Sequence, residues 1–164
     1  MAYIPFELGE ITNCNDLLKV LIFTEGTIIG PAKLSDWFNH KKYIPLKNSV
    51  EKIKAWENQG AEIYYLTSRK NLKEVNQIKN ILVNYGFPGK GLYYRARKEK
   101  YKDIVEVLIP RIIIEDDCKS IGGKWQMTIT YVREDIKNRI KSIVVKEFEG
   151  IEHLSNDINE LLEV

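Results

Sequence analysis

The sequence predicts an α/β fold, a Rossmann-like three-layer domain with a mostly parallel central sheet. Apolar runs of strand length, such as 20–24 and 112–114, alternate along the chain with segments of helical periodicity. Strands and helices that alternate at this spacing form parallel sheets that are covered by helices on both faces. The length of 164 residues suits one domain with a sizeable core, so a single domain over 1–164 is expected.

The composition narrows the class of function. A net charge of +2 and a charged fraction of 29% give no argument for binding to nucleic acid or to an acidic membrane. No apolar run approaches the roughly 20 residues that span a bilayer, and the first residues show no signal-peptide pattern. We therefore expect no membrane partner, and a cytoplasmic location is the default expectation. Two cysteines, Cys14 and Cys118, are too few for a disulfide framework.

The expected strands are runs of apolar and β-branched residues. They are 18–24, 61–67, 91–94, 111–114 and, from weaker patterns, 127–132 and 142–146. In the N-terminal extension 1–17, the alternation from Tyr3 to Leu8 indicates a short strand, which Pro5 confines to the edge of a sheet. The segment 28–45 is interpreted as an irregular loop with one helical turn near 35–40.

The expected helices have apolar residues three or four positions apart. They are 50–59, 72–85, 98–109, 133–141 and 154–162. Asn48 or Ser49 is the candidate N-cap of the first helix and Gly60 its end, while Ser155 or Asn156 would cap the last helix.

Polar side chains follow three of the predicted strands at their carboxyl ends. They are Glu25, Gly26 and Thr27 after 18–24, Thr67 and Ser68 after 61–67, and Asp116 and Asp117 after 111–114. Because the carboxyl ends of parallel strands meet at one edge of a sheet, we expect these residues to converge. Hydroxyls and the N–H groups of a glycine turn can hold phosphate oxygens, and paired carboxylates suit Mg²⁺. The pattern therefore predicts a phosphate site.

The order of these motifs resembles that of the haloacid dehalogenase-like superfamily, whose members are mostly Mg²⁺-dependent phosphatases. The family's motifs correspond here to segments 23–27, 66–69, 98–100 and 114–117, within a core of about 18–123, followed by C-terminal strands and a helix over 125–164. The resemblance implies a role for each matching residue: Glu25 as acid or base, Gly26, Thr27, Thr67, Ser68 and Lys100 as phosphate-binding residues, and Asp116 and Asp117 as candidate Mg²⁺ ligands.

The first motif departs from the family at its most important position. The family has Asp-x-Asp-Gly-Thr, in which the first Asp attacks phosphorus and binds Mg²⁺, whereas this chain has Phe23, Thr24, Glu25, Gly26 and Thr27. A phenyl ring can do neither, so the usual aspartyl-phosphate mechanism is disfavoured. The loss of that Asp also weakens the expectation of Mg²⁺.

Three lysines, Lys98, Lys100 and Lys102, compete for the third motif. Lys100 is preferred because it precedes Ile104 by four residues and Leu108 by eight, which places it on the buried side of the first helical turn. The simpler alternatives for Thr67, Ser68, Asp116 and Asp117 are helix caps. Cys118 is expected to be a packed side chain, with a reactive role left open.

The gaps between motifs are too short for a full cap domain, which leaves the predicted site open. An open site suits a large substrate, a protein partner or closure by a second subunit in a homo-oligomer. The first hypothesis is a phosphoester-handling, hydrolase-like protein that acts on a phosphorylated small molecule or macromolecule without the usual nucleophile. The second is a catalytically inactive binding or regulatory domain. The third and weaker one is nucleic-acid contact through the segment from Arg95 to Lys102, where a solvated basic loop is the favoured interpretation.

Overall fold

The structure, a computed structural model, describes residues 1–7 and 18–163. Its eight strands are β1 (Ala2–Pro5), β2 (Lys19–Phe23), β3 (Ile29–Pro31), β4 (Tyr43–Pro45), β5 (Glu62–Leu66), β6 (Gly91–Tyr94), β7 (Ile112–Asp116) and β8 (Lys141–Val145). Six of them form the central sheet in the order β1-β6-β5-β2-β7-β8, and β3 pairs with β4 as a separate hairpin. Among the described strands of the central sheet, β1 and β6 pair antiparallel and all the other neighbours pair parallel.

Helices cover both faces of the central sheet. They are α1 (Ser49–Asn58), α2 (Leu72–Asn84), α3 (Tyr101–Leu108), α4 (Glu134–Lys137) and α5 (Ile158–Glu163). Residues of α1, α2 and α5 share one buried cluster with one face of the sheet, while α3 and α4 pack on the other face. The predicted three-layer α/β class is confirmed, and residues 1–7 and 18–163 include no large cap domain. No helix in the described ranges has the length and apolarity needed to cross a membrane.

Strand β2 lies in the middle of the sheet, and its sequence explains why. Val20, Leu21 and Ile22 are completely buried, as a strand with neighbours on both edges and helices on both faces requires. The parallel register pairs Phe23 with Leu66 of β5 and Ile22 with Ile114 of β7. The carboxyl ends of β2, β5 and β7 are therefore adjacent, which is the edge where open α/β sheets bind ligands.

The predicted edge strand near the N-terminus is present as β1, which pairs with the sheet's β6 and ends at Pro5. Leu8, the last residue of that prediction, lies outside the described residues.

The segment 28–45 is more ordered than a loop, because it contains the β3–β4 hairpin and two short 3₁₀ turns, Leu34–Asp36 and His40–Lys42.

The prediction of a strand over 127–132 is wrong. Residues Thr128–Tyr131 form a 3₁₀ turn instead, because the backbone N–H groups of Thr128 and Ile129 donate to the buried carboxylate of Glu115 at 2.7 and 3.1 Å. Met127, Ile129 and Val132 are buried in the layer of α3, so the alternation in the sequence reflects burial on one side of a turn.

Candidate functional site

The carboxyl ends of β2 and β5 bring three of the predicted site residues into direct contact. The Thr67 hydroxyl donates to Glu25 Oε1 at 2.7 Å and the Ser68 hydroxyl to the same oxygen at 3.1 Å. The backbone N–H of Ser68 points at Oε2, 3.4 Å away. Thr67 is fully buried, and the Glu25 side chain is only 10% exposed. The acid and the hydroxyls that the sequence places after two strands thus form one hydrogen-bonded cluster.

Two further groups complete the hydrogen bonding of Glu25. Arg69 Nε lies 3.2 Å from Oε1 as an ion pair, and the Thr24 hydroxyl also donates to Oε2. The Arg69 guanidinium is fixed in turn by the Ser68 hydroxyl, 2.7 Å from Nη2. These donors together hold the Glu25 carboxylate at the carboxyl ends of β2 and β5.

Phe23 occupies the end of β2, where the resemblance would place a nucleophile. Its ring contacts Tyr101 of α3 edge-on, with the centroids 5.2 Å apart. Arg95 covers the same tyrosine, with its Cζ 3.9 Å from the ring centroid, which is cation–π geometry. The position is therefore filled by an aromatic pair under a guanidinium, and it presents no oxygen to a phosphorus atom.

Asp116 lies at the end of β7 beside the turn that follows β2. Its Oδ2 is 3.4 Å from the Thr27 hydroxyl, and its Oδ1 accepts the Cys118 N–H at 2.8 Å. Gly26 has φ of 84°, and a Cβ added to it would stand 2.6 Å from Asp116 Oδ2. Burial raises the pKa of Asp116, and Glu147 raises it further against the hydrogen bonds from Cys118 and Thr27.

The neighbouring acids of β7 point elsewhere. Successive side chains of a strand alternate between faces, so Glu115 points into the layer of α3, where Thr128 and Ile129 bind it. Burial raises the pKa of Glu115, although those backbone N–H groups oppose the shift. Asp117 Oδ1 accepts from the backbone N–H groups of Lys119 and Glu147, each at 3.3 Å. Glu115 therefore needs no cation at the sheet edge.

The sheet edge offers few of the oxygen ligands that a Mg²⁺ ion requires. Magnesium prefers near-octahedral oxygen ligands, yet Phe23 supplies none, and both Asp116 and Asp117 bind backbone N–H groups. Among residues 1–7 and 18–163, no group of three or more His, Cys, Asp or Glu side chains is placed to hold a metal. The Mg²⁺ site at Asp116 and Asp117 stays a prediction.

The lysine expected at the site does not contact it. Lys100 is an exposed residue that precedes α3, where its backbone N–H donates to Asp103 Oδ2 at 2.7 Å. Lys102 pairs with Glu106 at 3.8 Å and Lys98 is exposed. No ion pair in the described part of the chain joins any of the three to Glu25 or Asp116.

Arg69 is the cation paired with Glu25, and a second arginine, Arg95, lies over Tyr101 although the sequence motifs assign it no role in the phosphate site. Arg95 follows the end of β6 directly, so its position after a strand was the available signal. Burial raises the pKa of Tyr101 to about 12, and the charges of Arg95, Glu25 and Arg69 all act on its hydroxyl. Of these three groups, Arg95 is the one that directly covers the Tyr101 ring.

His40 and Tyr43, which come from the hairpin, border the same cluster. Burial lowers the pKa of His40, and the Arg69 charge lowers it further against the charges of Glu25 and Glu74. Burial raises the pKa of Tyr43, the Glu25 charge raises it further, and the Arg69 charge lowers it. The His40 and Tyr43 rings contact each other edge-on, with their centroids 5.0 Å apart. A role at the site edge was not anticipated for His40, because its proximity depends on the β3–β4 hairpin.

Cys118 does not have the environment of a reactive thiol. Burial raises its pKa, and the adjacent Asp116 carboxylate raises it further. A thiol whose pKa is raised stays protonated at neutral pH, and the protonated form is a weak nucleophile.

The chain matches no known protein-family profile, and no curated protein matches it in sequence. It is similar in fold to a chain of the solved structure "Structure of the Pnkp1/Rnl/Hen1 RNA repair complex", with a TM-score of 0.57 and 16% identity over 85% of this chain and 46% of that one. A chain of "Structure of Pnkp1/Rnl/Hen1 complex" gives a TM-score of 0.55 and 17% identity over 86% of this chain and 51% of that one.

A third structure is the D,D-heptose 1,7-bisphosphate phosphatase from Burkholderia thailandensis, with a TM-score of 0.48 and 12% identity over 80% of this chain and 93% of that one. The present chain spans about half the length of the first two chains that it resembles. At these identities the likeness to the first two shows a shared fold and nothing more specific.

Proposed function

We propose that this chain is a haloacid dehalogenase-like domain that binds a phosphoester without hydrolysing it. The ligand class is a phosphorylated small molecule or macromolecule, held by the Thr67 and Ser68 hydroxyls and by the Arg69 guanidinium. Hydroxyls, a backbone N–H and a planar guanidinium are the groups that proteins use to bind phosphate oxygens. The open sheet edge, which lacks a large cap, suits a bulky ligand.

The observation that carries this proposal is the environment of Phe23. Its ring is packed on Tyr101 where aspartyl-phosphate chemistry needs a carboxylate, so the chain offers no group for covalent attack there. The remaining enzymatic route is attack by water with Glu25 as acid or base. That route is disfavoured because Thr67, Ser68 and Arg69 already bind the carboxylate.

A second candidate function is nucleic-acid contact through the segment from Arg95 to Lys102. Arg97, Lys98 and Lys100 are exposed and can meet phosphates, and two similar folds come from an RNA repair complex. Base stacking has less support, because Tyr93 is buried and Tyr101 lies beneath Arg95. A salt-sensitive affinity for single-stranded oligonucleotides that falls in Lys98→Ala would support this candidate. Absent or salt-insensitive binding would remove it.

The proposed phosphoester binding is tested by thermal unfolding with increasing inorganic phosphate, using sulfate and chloride at matched ionic strength as controls. A ligand that binds only the folded state raises Tm in proportion to the logarithm of its concentration. We expect wild type to be stabilised by phosphate, and Thr67→Val to lose most of that stabilisation. Thr130→Val, which removes an exposed hydroxyl bonded to Lys124 O, is the matched control and should behave as wild type. Equal Tm increments in all three proteins would contradict the proposal.

A further inference from the structure

The donors that would hold a phosphate already hold an anion, and that anion belongs to the protein. Glu25 accepts from the hydroxyls of Thr24, Thr67 and Ser68, from the Ser68 N–H and from Arg69 Nε. Three of these contacts converge on one oxygen, Oε1, at 2.7, 3.1 and 3.2 Å. This convergence on a single oxygen is the arrangement expected around an oxygen of a bound phosphate.

The length of the Glu25 side chain explains how it reaches these donors. Glutamate carries its carboxylate one methylene farther from the backbone than the aspartate of the related motif does. The extra methylene lets the group cross from the end of β2 to the Thr67 and Ser68 hydroxyls beyond the neighbouring β5. An incoming phosphate and this carboxylate need the same donors and carry charge of the same sign. They therefore cannot occupy the cluster together.

The surrounding charges favour an anion that is larger and more negative than one carboxylate. Arg69 is paired with Glu25, while Arg95 lies over the Tyr101 ring, and both guanidinium charges act on the hydroxyl of that ring. The Nε of Arg95 is buried and has no hydrogen-bond partner among the described residues. A buried donor of this kind is costly unless a water molecule or a ligand satisfies it. Together the two guanidinium charges exceed the charge of the Glu25 carboxylate and match that of a phosphate monoester dianion.

We propose that Glu25 is a built-in competitor for the phosphate site. In the unliganded protein its carboxylate fills the cradle of Thr67, Ser68 and Arg69, and a phosphate monoester dianion binds by displacing it. Arg69 and Arg95 then neutralise the dianion in the role that the sequence had assigned to Lys100. This inference rests on the proposed phosphoester binding and adds both the residues that supply the positive charge and the residue that limits affinity.

Titration calorimetry with inorganic phosphate tests this proposal on the full chain. Glu25→Gln keeps the side-chain length but removes the charge, so we expect phosphate to bind about tenfold more tightly than to wild type. Adding Arg69→Gln to Glu25→Gln should abolish the gain, whereas adding Lys100→Gln should leave it unchanged. Glu51→Gln, an exposed carboxylate on α1, is the charge-matched control and should bind like wild type.

A second variant guards against misfolding of Glu25→Gln. Glu25→Asp keeps the charge but shortens the arm, so it should also bind phosphate more tightly. If wild type binds phosphate and neither substitution strengthens that binding, Glu25 is not a competitor, but the proposed phosphoester binding still stands. If wild type and both variants are folded but none of them binds phosphate, both proposals are overturned. A gain that survives loss of Arg69 would overturn the assignment of the binding cation.

Discussion

At the scale of single residues, Asp116 shows what burial does to an acid at the edge of the sheet. Burial is the largest cause that raises its pKa, and Glu147 adds to the shift. An acid with a raised folded-state pKa contributes stability that is fully present below the unfolded pKa. That contribution is lost as pH rises through the folded pKa. At neutral pH the charged carboxylate is therefore a cost to the fold.

Asp116→Asn should remove that cost. The amide oxygen can still accept the Cys118 N–H, and the amide NH₂ can donate to Thr27 Oγ1. We expect the variant to be more stable than wild type by about 1 kcal/mol at pH 7, and to have a smaller advantage at pH 4, because the raised pKa of Asp116 favours its neutral form as the pH falls. Urea unfolding of both proteins at the two pH values measures the difference in their free energy of unfolding. A variant that is less stable at pH 7, or whose advantage grows in acid, would show that the charge is stabilised by a partner.

At the scale of elements, the turn from β2 into the hairpin places two site residues at once. The backbone N–H of Gly26 donates to Ile29 O at 2.9 Å, and Gly26 O accepts the Phe148 N–H at 2.7 Å. This fixes Glu25 on one side of the turn and Thr27 on the other, next to Asp116. Gly26 is needed for its left-handed φ and for its lack of a side chain against the carboxylate.

Gly26→Ala and Gly60→Ala form a matched pair that separates these two requirements. Both glycines have positive φ, 84° and 95°, but a Cβ at Gly60 would meet nothing within 4 Å. Gly60→Ala should therefore cost only backbone strain, about 1 kcal/mol, and Gly26→Ala about 2 kcal/mol more, because Asp116 must move. Chemical denaturation of the two variants gives the difference. Equal losses would mean that the close approach at Gly26 is relieved without cost.

The elements also show how far the sequence predicts the structure. Unbroken apolar runs and helical spacing predict β2, β5, β6, α1 and α2 to within about two residues. A strand buried on both faces gives an unbroken apolar run, and a helix buried on one face gives apolar residues three or four positions apart. The sequence predicts a strand where Thr128–Tyr131 form a turn, because the turn depends on hydrogen bonds to Glu115, a residue distant in sequence. Convergence of Glu25 with Thr67 followed from strand ends, whereas the engagement of Glu25 by Arg69 depends on side-chain directions that spacing does not encode.

At the scale of the whole molecule, the charges divide the carboxyl edge of the sheet into two parts. Arg69 and Arg95 lie around Tyr101 near β5 and β6, while Asp116, Asp117 and Glu147 lie near β7 and β8. Between the parts stands β2, which ends in an apolar ring instead of a nucleophile. The fold keeps the shape of an open α/β ligand site, and its positive part is suited to binding an anion.

The central claim is that this edge binds a phosphoester without turning it over. The most direct test is hydrolysis of p-nitrophenyl phosphate by the purified chain with excess Mg²⁺, beside Glu25→Ala and a protein-free blank. The account predicts that wild type and the variant release p-nitrophenol no faster than the blank, because neither Phe23 nor the engaged Glu25 can act on phosphorus. Mg²⁺-dependent release by wild type that Glu25→Ala abolishes would contradict it and identify an enzyme.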